Sequence, residues 1–242
     1  MFLSTRGIVF RQTRYSDTSL VVSIFTEQLG LRPYIVKGAR GPKSKTKVVL
    51  FQPLTLLNMV VDQQDRRNLN YIREANLAYH YQTIHKDIRK SSILFFLNEL
   101  LTKSIQEESV NPDMFRYIYE HLVLLDSTPD IPGHFHIAFA LHLTRFMGFF
   151  PQGTYLGAHS IFDLEEGSFI TAKPLHEQYV TGTSCLYLNE LMKTAPGNFS
   201  GITFPPSVRN DLLSKILRYY QLHLPIQGEF KSPAILHEVL QK

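Results

Sequence analysis

Over the first third of the chain, apolar residues come in short runs bounded by turn residues; after that they recur every three or four positions. Residues 5–10, 19–26, 32–37, 49–61 and 69–77 are rich in Val, Ile, Leu, Tyr and Phe, the pattern of five successive β-strands. Gly30 breaks the second run from the third, and Gly38, Gly41 and Pro42 follow the third, as antiparallel strands joined by tight turns require. Five short strands predict a small barrel. Pattern alone fits a Greek-key barrel of the OB type and an SH3-like barrel alike.

Beyond about Tyr79 the period changes. Ile93, Leu94, Leu97, Leu100, Leu101 and Ile105 describe one face of a helix, as do Phe115, Ile118, Tyr119, Leu122 and Leu125. Asn111 is placed to cap the second of these, with Pro112 in its first turn. Phe135, Ala138, Phe139, His142, Phe146 and Phe149 mark a third helix, ended by Gly148 and Pro151. Residues 151–182 interrupt the helical pattern with Gly, Pro and Thr, and residues 162–169 read as a hairpin turning at Glu166-Gly167. Helices resume over 184–193, 207–223 and 233–241. The chain is therefore expected to be α+β: a five-stranded barrel over residues 1–79, then a mostly α-helical domain over 80–242 with a small irregular β insertion at 151–182.

At 242 residues and 44% hydrophobic, the chain is long enough for a large core and for two packed units. Its single cysteine, Cys185, excludes an intrachain disulfide and a multi-cysteine metal cluster. No apolar run approaches the roughly 20 residues that span a bilayer, and the N-terminus lacks the pattern of a leader peptide. A soluble, unexported protein with no membrane partner is expected.

Charge changes the picture. Residues 1–50 hold nine Lys/Arg against two acids, a net of +7, while the other 192 residues hold 16 basic and 19 acidic groups, a net of −3. Five of the nine, Lys37, Arg40, Lys43, Lys45 and Lys47, lie within eleven residues that contain no acid. A cationic loop held between strands is suited to a polyanion, and nucleic acid is the first partner to consider. If about six cations, Arg32 included, each meet one phosphate, affinity for a single strand falls about two to three decades between 50 and 200 mM salt. The bland reading is a solvated loop. Aromatic residues beside the cations add a second requirement of single-strand binding, a sequence-tolerant stacking face. Tyr15, next to Arg14 in a turn, is the stronger candidate; Tyr34 and Phe51 fit the site and the barrel core alike.

Other chemistry is sparse. His134 and His136 are two apart, there is no His-Glu-x-x-His and there are no paired cysteines, so no metal or cofactor is expected. P-loop, dinucleotide and nucleophile-elbow patterns are missing from the sequence. Cys185 lies in an apolar helical pattern, where a structural thiol is expected. His159, Asp163 and His176 could meet in the irregular segment as a hydrolytic site, although their spacing matches no motif.

The stretches Arg14-Tyr15-Ser16-Asp17-Thr18-Ser19-Leu20, Phe25-Thr26-Glu27 with Gly30, Val36-Lys37-Gly38-Ala39-Arg40 and Leu50-Phe51-Gln52-Pro53-Leu54 resemble, in order and spacing, the N-terminal signature of the RecO family of bacterial recombination mediators. Leu97-Asn98-Glu99-Leu100-Leu101, Gly148-Phe149-Phe150-Pro151 and Phe230-Lys231-Ser232 carry a looser resemblance through the rest of the chain. The resemblance implies an OB-fold followed by a helical domain. It also implies a non-enzymatic cytoplasmic, nucleoid-associated DNA repair protein that binds single- and double-stranded DNA and anneals complementary strands. Its implied partners are RecR, the acidic, Phe-terminated C-terminal tail of single-stranded DNA-binding protein and, indirectly, RecA. Together with the charge pattern, it nominates Arg14, Tyr15, Arg32, Tyr34, Lys37, Arg40, Lys43, Lys45 and Lys47 for DNA. Phe135, Phe139 and Arg145 are nominated for the protein tail, with core aromatics and a surface arginine as the alternative reading. Many relatives carry a four-cysteine zinc module after the Gly-x-x-Pro element; here residues 151–181 contain no cysteine, so zinc is not carried over. The rival function is a scaffold whose basic loop docks an acidic protein.

Overall fold

A computed structural model describes residues 2–39, 45–62, 69–106, 108–198 and 202–240, with residues 45–47 described by their backbone. Contacts divide the chain into two units, residues 1–86 with 105–127 and residues 87–104 with 128–242. The sequence pattern drew the line at 79/80. The packing of an aromatic helix against the barrel, described next, is what draws residues 105–127 into the first unit.

The first unit contains strands β1 (Phe2–Arg14), β2 (Leu20–Thr26), β3 (Gly30–Val36), β4 (Leu56–Asp62) and β5 (Asn70–Leu77). They close into a five-stranded OB-type barrel in the order β1-β2-β3-β5-β4, with β1 returning to pair with β4 and β3 running parallel to β5. Alternation along each strand sends Val9, Val22, Ile24, Tyr34, Leu57, Met59 and Val61 into one buried cluster. On the outside of β1 and β2, Phe10 and Phe25 stack at 5.6 Å and Phe25 meets Phe115 at 6.0 Å. Phe115 belongs to the helix Pro112–Ser127, whose first turn is capped by Asn111 Oδ1 accepting from the Met114 N–H. Burying side chains of this size stabilises by about 1.5–3 kcal/mol each. Near the C-terminus of that helix, Asp126 accepts backbone N–H bonds from Gln82, Thr83 and Ile84 and the Tyr79 hydroxyl. Burial alone would raise this carboxyl, but the hydrogen bonds overcome it and bring it down to about 2.

One expected strand is divided. Residues 49–61 read as a single strand, but Val49 and Leu50 close a short helix, α1 (Lys45–Leu50), and β4 starts only at Leu56. Val48, Leu50 and Phe51 pack against the barrel interior, so tertiary packing overrides the strand propensity of Val-Val-Leu-Phe.

The second unit begins with α2 (Ile88–Ser104), which precedes the Pro112–Ser127 helix, α3, in the chain. It continues with α4 (Phe135–Leu143), α5 (Gly182–Lys193), α6 (Pro206–His223) and α7 (Ser232–Leu240). All nine residues of α4 are buried, and α2, α5 and α6 pack on it. A helix that is apolar almost all round has no face to give to water. α4 is also shorter than expected, ending at Leu143 with turns instead of helix up to Gly148. α7 is fastened to α2 by the Glu99 carboxylate, which accepts from the backbone N–H groups of Lys231 and Ser232 and from the Ser232 hydroxyl. The insertion forms a three-stranded sheet, with β6 (Ile161–Asp163) between β7 (Ser168–Ile170) and β8 (Tyr179–Val180). Its hairpin turns through Gly167 at φ 66°, where a Cβ would lie 2.5 Å from the Tyr219 hydroxyl. No described helix is long and apolar enough to cross a membrane.

Candidate nucleic-acid interface

The basic segment leaves the barrel at the end of β3. Lys37 is exposed, and Gly38 follows it in the left-handed region at φ 66°, turning the chain off the strand. Arg40 and Lys43 lie outside the described residues. Lys45 and Lys47 fall in α1, so the second half of the expected loop is helical. The segment returns at Leu50 and Phe51, the latter buried.

Both ends of that segment border one cleft of about 610 Å³, whose walls include Lys37, Phe51, Asp62, Tyr71 and Arg73. Strand register explains how these residues meet. Phe2 pairs with Asp62, Asp62 with Tyr71, and Tyr71 with Ile35, so one rung crosses β1, β4, β5 and β3. The neighbouring rung, with Leu3, Val61 and Ile72, faces the interior. Between Glu74, paired with Val60, and Ile72, paired with Val61, strand β5 carries one extra residue, Arg73. A bulge of this kind re-aims a side chain, and Arg73 is exposed beside the rung.

Cations and aromatic rings alternate there. The Lys37 ammonium lies 4.6 Å from the Tyr71 ring centroid, and the Arg73 guanidinium 5.3 Å from that of Phe2, a residue 63% exposed. Arg73 also donates to Asp62 Oδ2 at 3.1 Å. An exposed cation–π contact contributes only about 0.5–1 kcal/mol, so a ligand offering a phosphate and a base can replace it.

The other nominated residues divide. Tyr15 is 61% exposed in the β1–β2 turn, beside Arg14, which pairs with Asp17 at 2.8 Å. Arg32 is engaged by the Glu108 carboxylate and donates to the Leu29 carbonyl, so it is not the free cation expected. Tyr34 corrects the expectation outright: it is wholly buried on the inward side of β3, and desolvation pushes its hydroxyl up to about 12. Alternation placed it inside, which leaves no ring face for a base. Phe2, Tyr71 and Arg73 were missed. The available signal was Ile72-Arg73-Glu74-Ala75, two polar residues between two inward-facing ones, which breaks strict alternation and marks a bulge.

In the helical unit, Phe135 and Phe139 have no exposed surface, so they line no open pocket. Arg145 is exposed beyond the end of α4, stacks on Phe150 at 3.8 Å and donates to the Met192 carbonyl. A groove of about 640 Å³ between α6 and α7 instead combines Leu213, Leu217 and Phe230 with Lys215 and Arg218.

Asp163 and His176 do meet, at 3.3 Å, with Glu165 at 3.7 Å from the same imidazole nitrogen. The other ring nitrogen, Nδ1, accepts the Gln178 N–H. With both nitrogens occupied, the ring has no lone pair for a general base, and the cluster ties the segment before β8 to the end of β6 instead. Cys185 is buried, and desolvation pushes its thiol up to about 11, the opposite of an activated nucleophile.

Known proteins match along the whole chain. The family Recombination protein O N terminal matches residues 1–81, and Recombination protein O C terminal matches residues 85–233. DNA repair protein RecO of Phocaeicola vulgatus is 33% identical over 99% of both chains. DNA repair protein RecO of Bacteroides fragilis is 32% identical, again over 99% of both, and that of Porphyromonas gingivalis is 25% identical over 98% of both.

Proposed function

The chain belongs to the RecO family of DNA repair proteins, and from that premise we propose that it is a recombination mediator that binds single- and double-stranded DNA and anneals complementary strands. The observation that carries this reading is a five-cation segment rooted, at both ends, in the walls of one cleft on an OB-type barrel. Cations bind phosphates without reading sequence, and neutralising two strands on one protein lowers the repulsion that opposes their pairing. Because Arg32 is held by Glu108, the phosphate count is about five, and affinity for a single strand falls about two decades between 50 and 200 mM salt. No covalent step is needed, so the protein acts without turnover.

The helical unit serves partner proteins in this reading. The groove between α6 and α7 supplies apolar surface with Lys215 and Arg218, the chemistry that suits the acidic, Phe-terminated tail of single-stranded DNA-binding protein. RecR is the direct co-mediator and RecA the protein loaded afterwards, in the bacterial cytoplasm at the nucleoid. The decisive experiment is annealing of complementary strands coated with single-stranded DNA-binding protein, comparing wild type with Lys43, Lys45 and Lys47 all changed to Glu. The reading expects annealing to be lost; undiminished annealing removes the segment from the mechanism. Absence of any salt-sensitive oligonucleotide binding by the wild type would favour a scaffold that docks an acidic protein.

A further inference from the structure

The rung Phe2–Asp62–Tyr71, with Arg73 on its bulge, is built in a way that the barrel core does not require. Phe2 sits in strand register opposite Asp62, so its exposure comes from a ladder-held strand. Arg73 occupies the extra position of the bulge and adds nothing to the buried cluster. The bulge interrupts the β4–β5 ladder, and what it yields is a guanidinium over the exposed Phe2 ring, from a residue that shares the wall of the cleft with Tyr71.

We propose that Tyr71 and Phe2 form a two-base stacking platform for single-stranded DNA, with Lys37 and Arg73 as its phosphate contacts. The proposal rests on the DNA-binding reading above and names the side chains that would receive the bases. Two strand spacings separate the residues, which puts the rings about 10 Å apart on one face, each already under a cation. A base laid on either ring takes the place of the cation, and that cation turns to the phosphate. Asp62 holds Arg73 in the free protein at 3.1 Å, so binding exchanges a carboxylate partner for a phosphate and leaves Asp62 in the cleft. That carboxylate accepts hydrogen bonds only, so it favours bases with an exocyclic amine over thymine. Stacking is therefore tolerant of sequence, with a mild bias that the basic segment alone lacks.

Fluorescence anisotropy with a labelled single strand tests this on the full chain. Tyr71→Leu and Phe2→Leu are each expected to weaken binding about 5- to 150-fold with the salt slope unchanged, whereas Tyr71→Phe keeps wild-type affinity. Arg73→Gln is expected to reduce the salt slope by about 0.7. An oligonucleotide of abasic sites supplies the control: wild type should bind it more weakly than the normal strand, and Tyr71→Leu should bind it as wild type does. If wild type binds the strand, charge reversal in the basic segment weakens it and Tyr71→Leu and Phe2→Leu leave it unchanged, the platform is refuted while the DNA-binding reading stands. Should wild type not bind at all, both fall.

Discussion

Helix α4 carries Phe135 and Phe139 with no exposed surface, whereas β1 and β5 leave Phe2 largely exposed and Tyr71 half-buried, each under a cation. Both regions are rich in aromatics, and their sequences alone nominated the first for a partner and overlooked the second. The difference lies in what surrounds each ring. α4 is enclosed by α2, α5 and α6, so its rings are spent on packing. The barrel rung lies on the side of the sheet away from the core, and a bulge has been inserted beside it. An aromatic residue is open to a ligand when a strand ladder holds it outward, and belongs to a core when a helix has no polar side left.

The largest effect that could break this contrast is on stability. Phe139→Ala should cost about 3–5 kcal/mol in urea unfolding, and Phe2→Ala less than about 1 kcal/mol. Comparable costs for the two would erase the distinction between packing ring and platform ring.

Acid is next. Burial lowers His134 to about 4 and His136 to about 3, with Arg209 adding repulsion, and burial likewise lowers His121 to about 4. Their unfolded counterparts titrate near 6.5, so the unfolded chain binds protons first. Stability is therefore full above about pH 6.5 and falls as pH drops toward 4, by about 1 kcal/mol per imidazole at pH 5.5. Urea midpoints at pH 7.5 and 5.5 check this, and His136→Gln should flatten the dependence. An unchanged midpoint would mean that these rings are not held neutral.

Asp126→Asn should cost about 1.5–3 kcal/mol, because three backbone donors and the Tyr79 hydroxyl lose a charged acceptor. With the carboxyl held near 2, wild type keeps this contribution above about pH 4 and loses it as pH falls toward 2, a loss that the variant lacks. The smallest effect concerns Arg145. Its exposed stack on Phe150 contributes less than about 1 kcal/mol. Arg145→Glu should leave capture of an acidic, Phe-terminated peptide unchanged, while Arg218→Glu weakens it; the reverse outcome would return the partner site to the end of α4.

The barrel was legible because punctuated turns separate five short apolar runs, and the hairpin at 162–169 because Glu166-Gly167 offers a residue that tolerates φ 66°. Val49 and Leu50 were misread because a short unbroken apolar run has no period of its own, leaving packing to decide between strand and helix. Tyr34 was half-legible: its alternation with Val36 already pointed inward. The rung was hidden for a different reason. Register brings Phe2, Asp62 and Tyr71 together from strands up to 69 positions apart, which no local pattern encodes.

The interleaved division of the chain also dictates an order of events during synthesis. The first unit is incomplete until Ser127 has been made, because α3 supplies Phe115 to the outside of the barrel. By then α2 has long been translated, yet α7, which covers it and is fastened by Glu99, is encoded more than a hundred residues later. At translation rates of about 5–20 residues per second, α2 waits on the order of ten seconds for that partner. A nascent chain thus carries a finished barrel unit joined to an apolar helix without its cover. That interval is when the growing protein most needs protection from its neighbours.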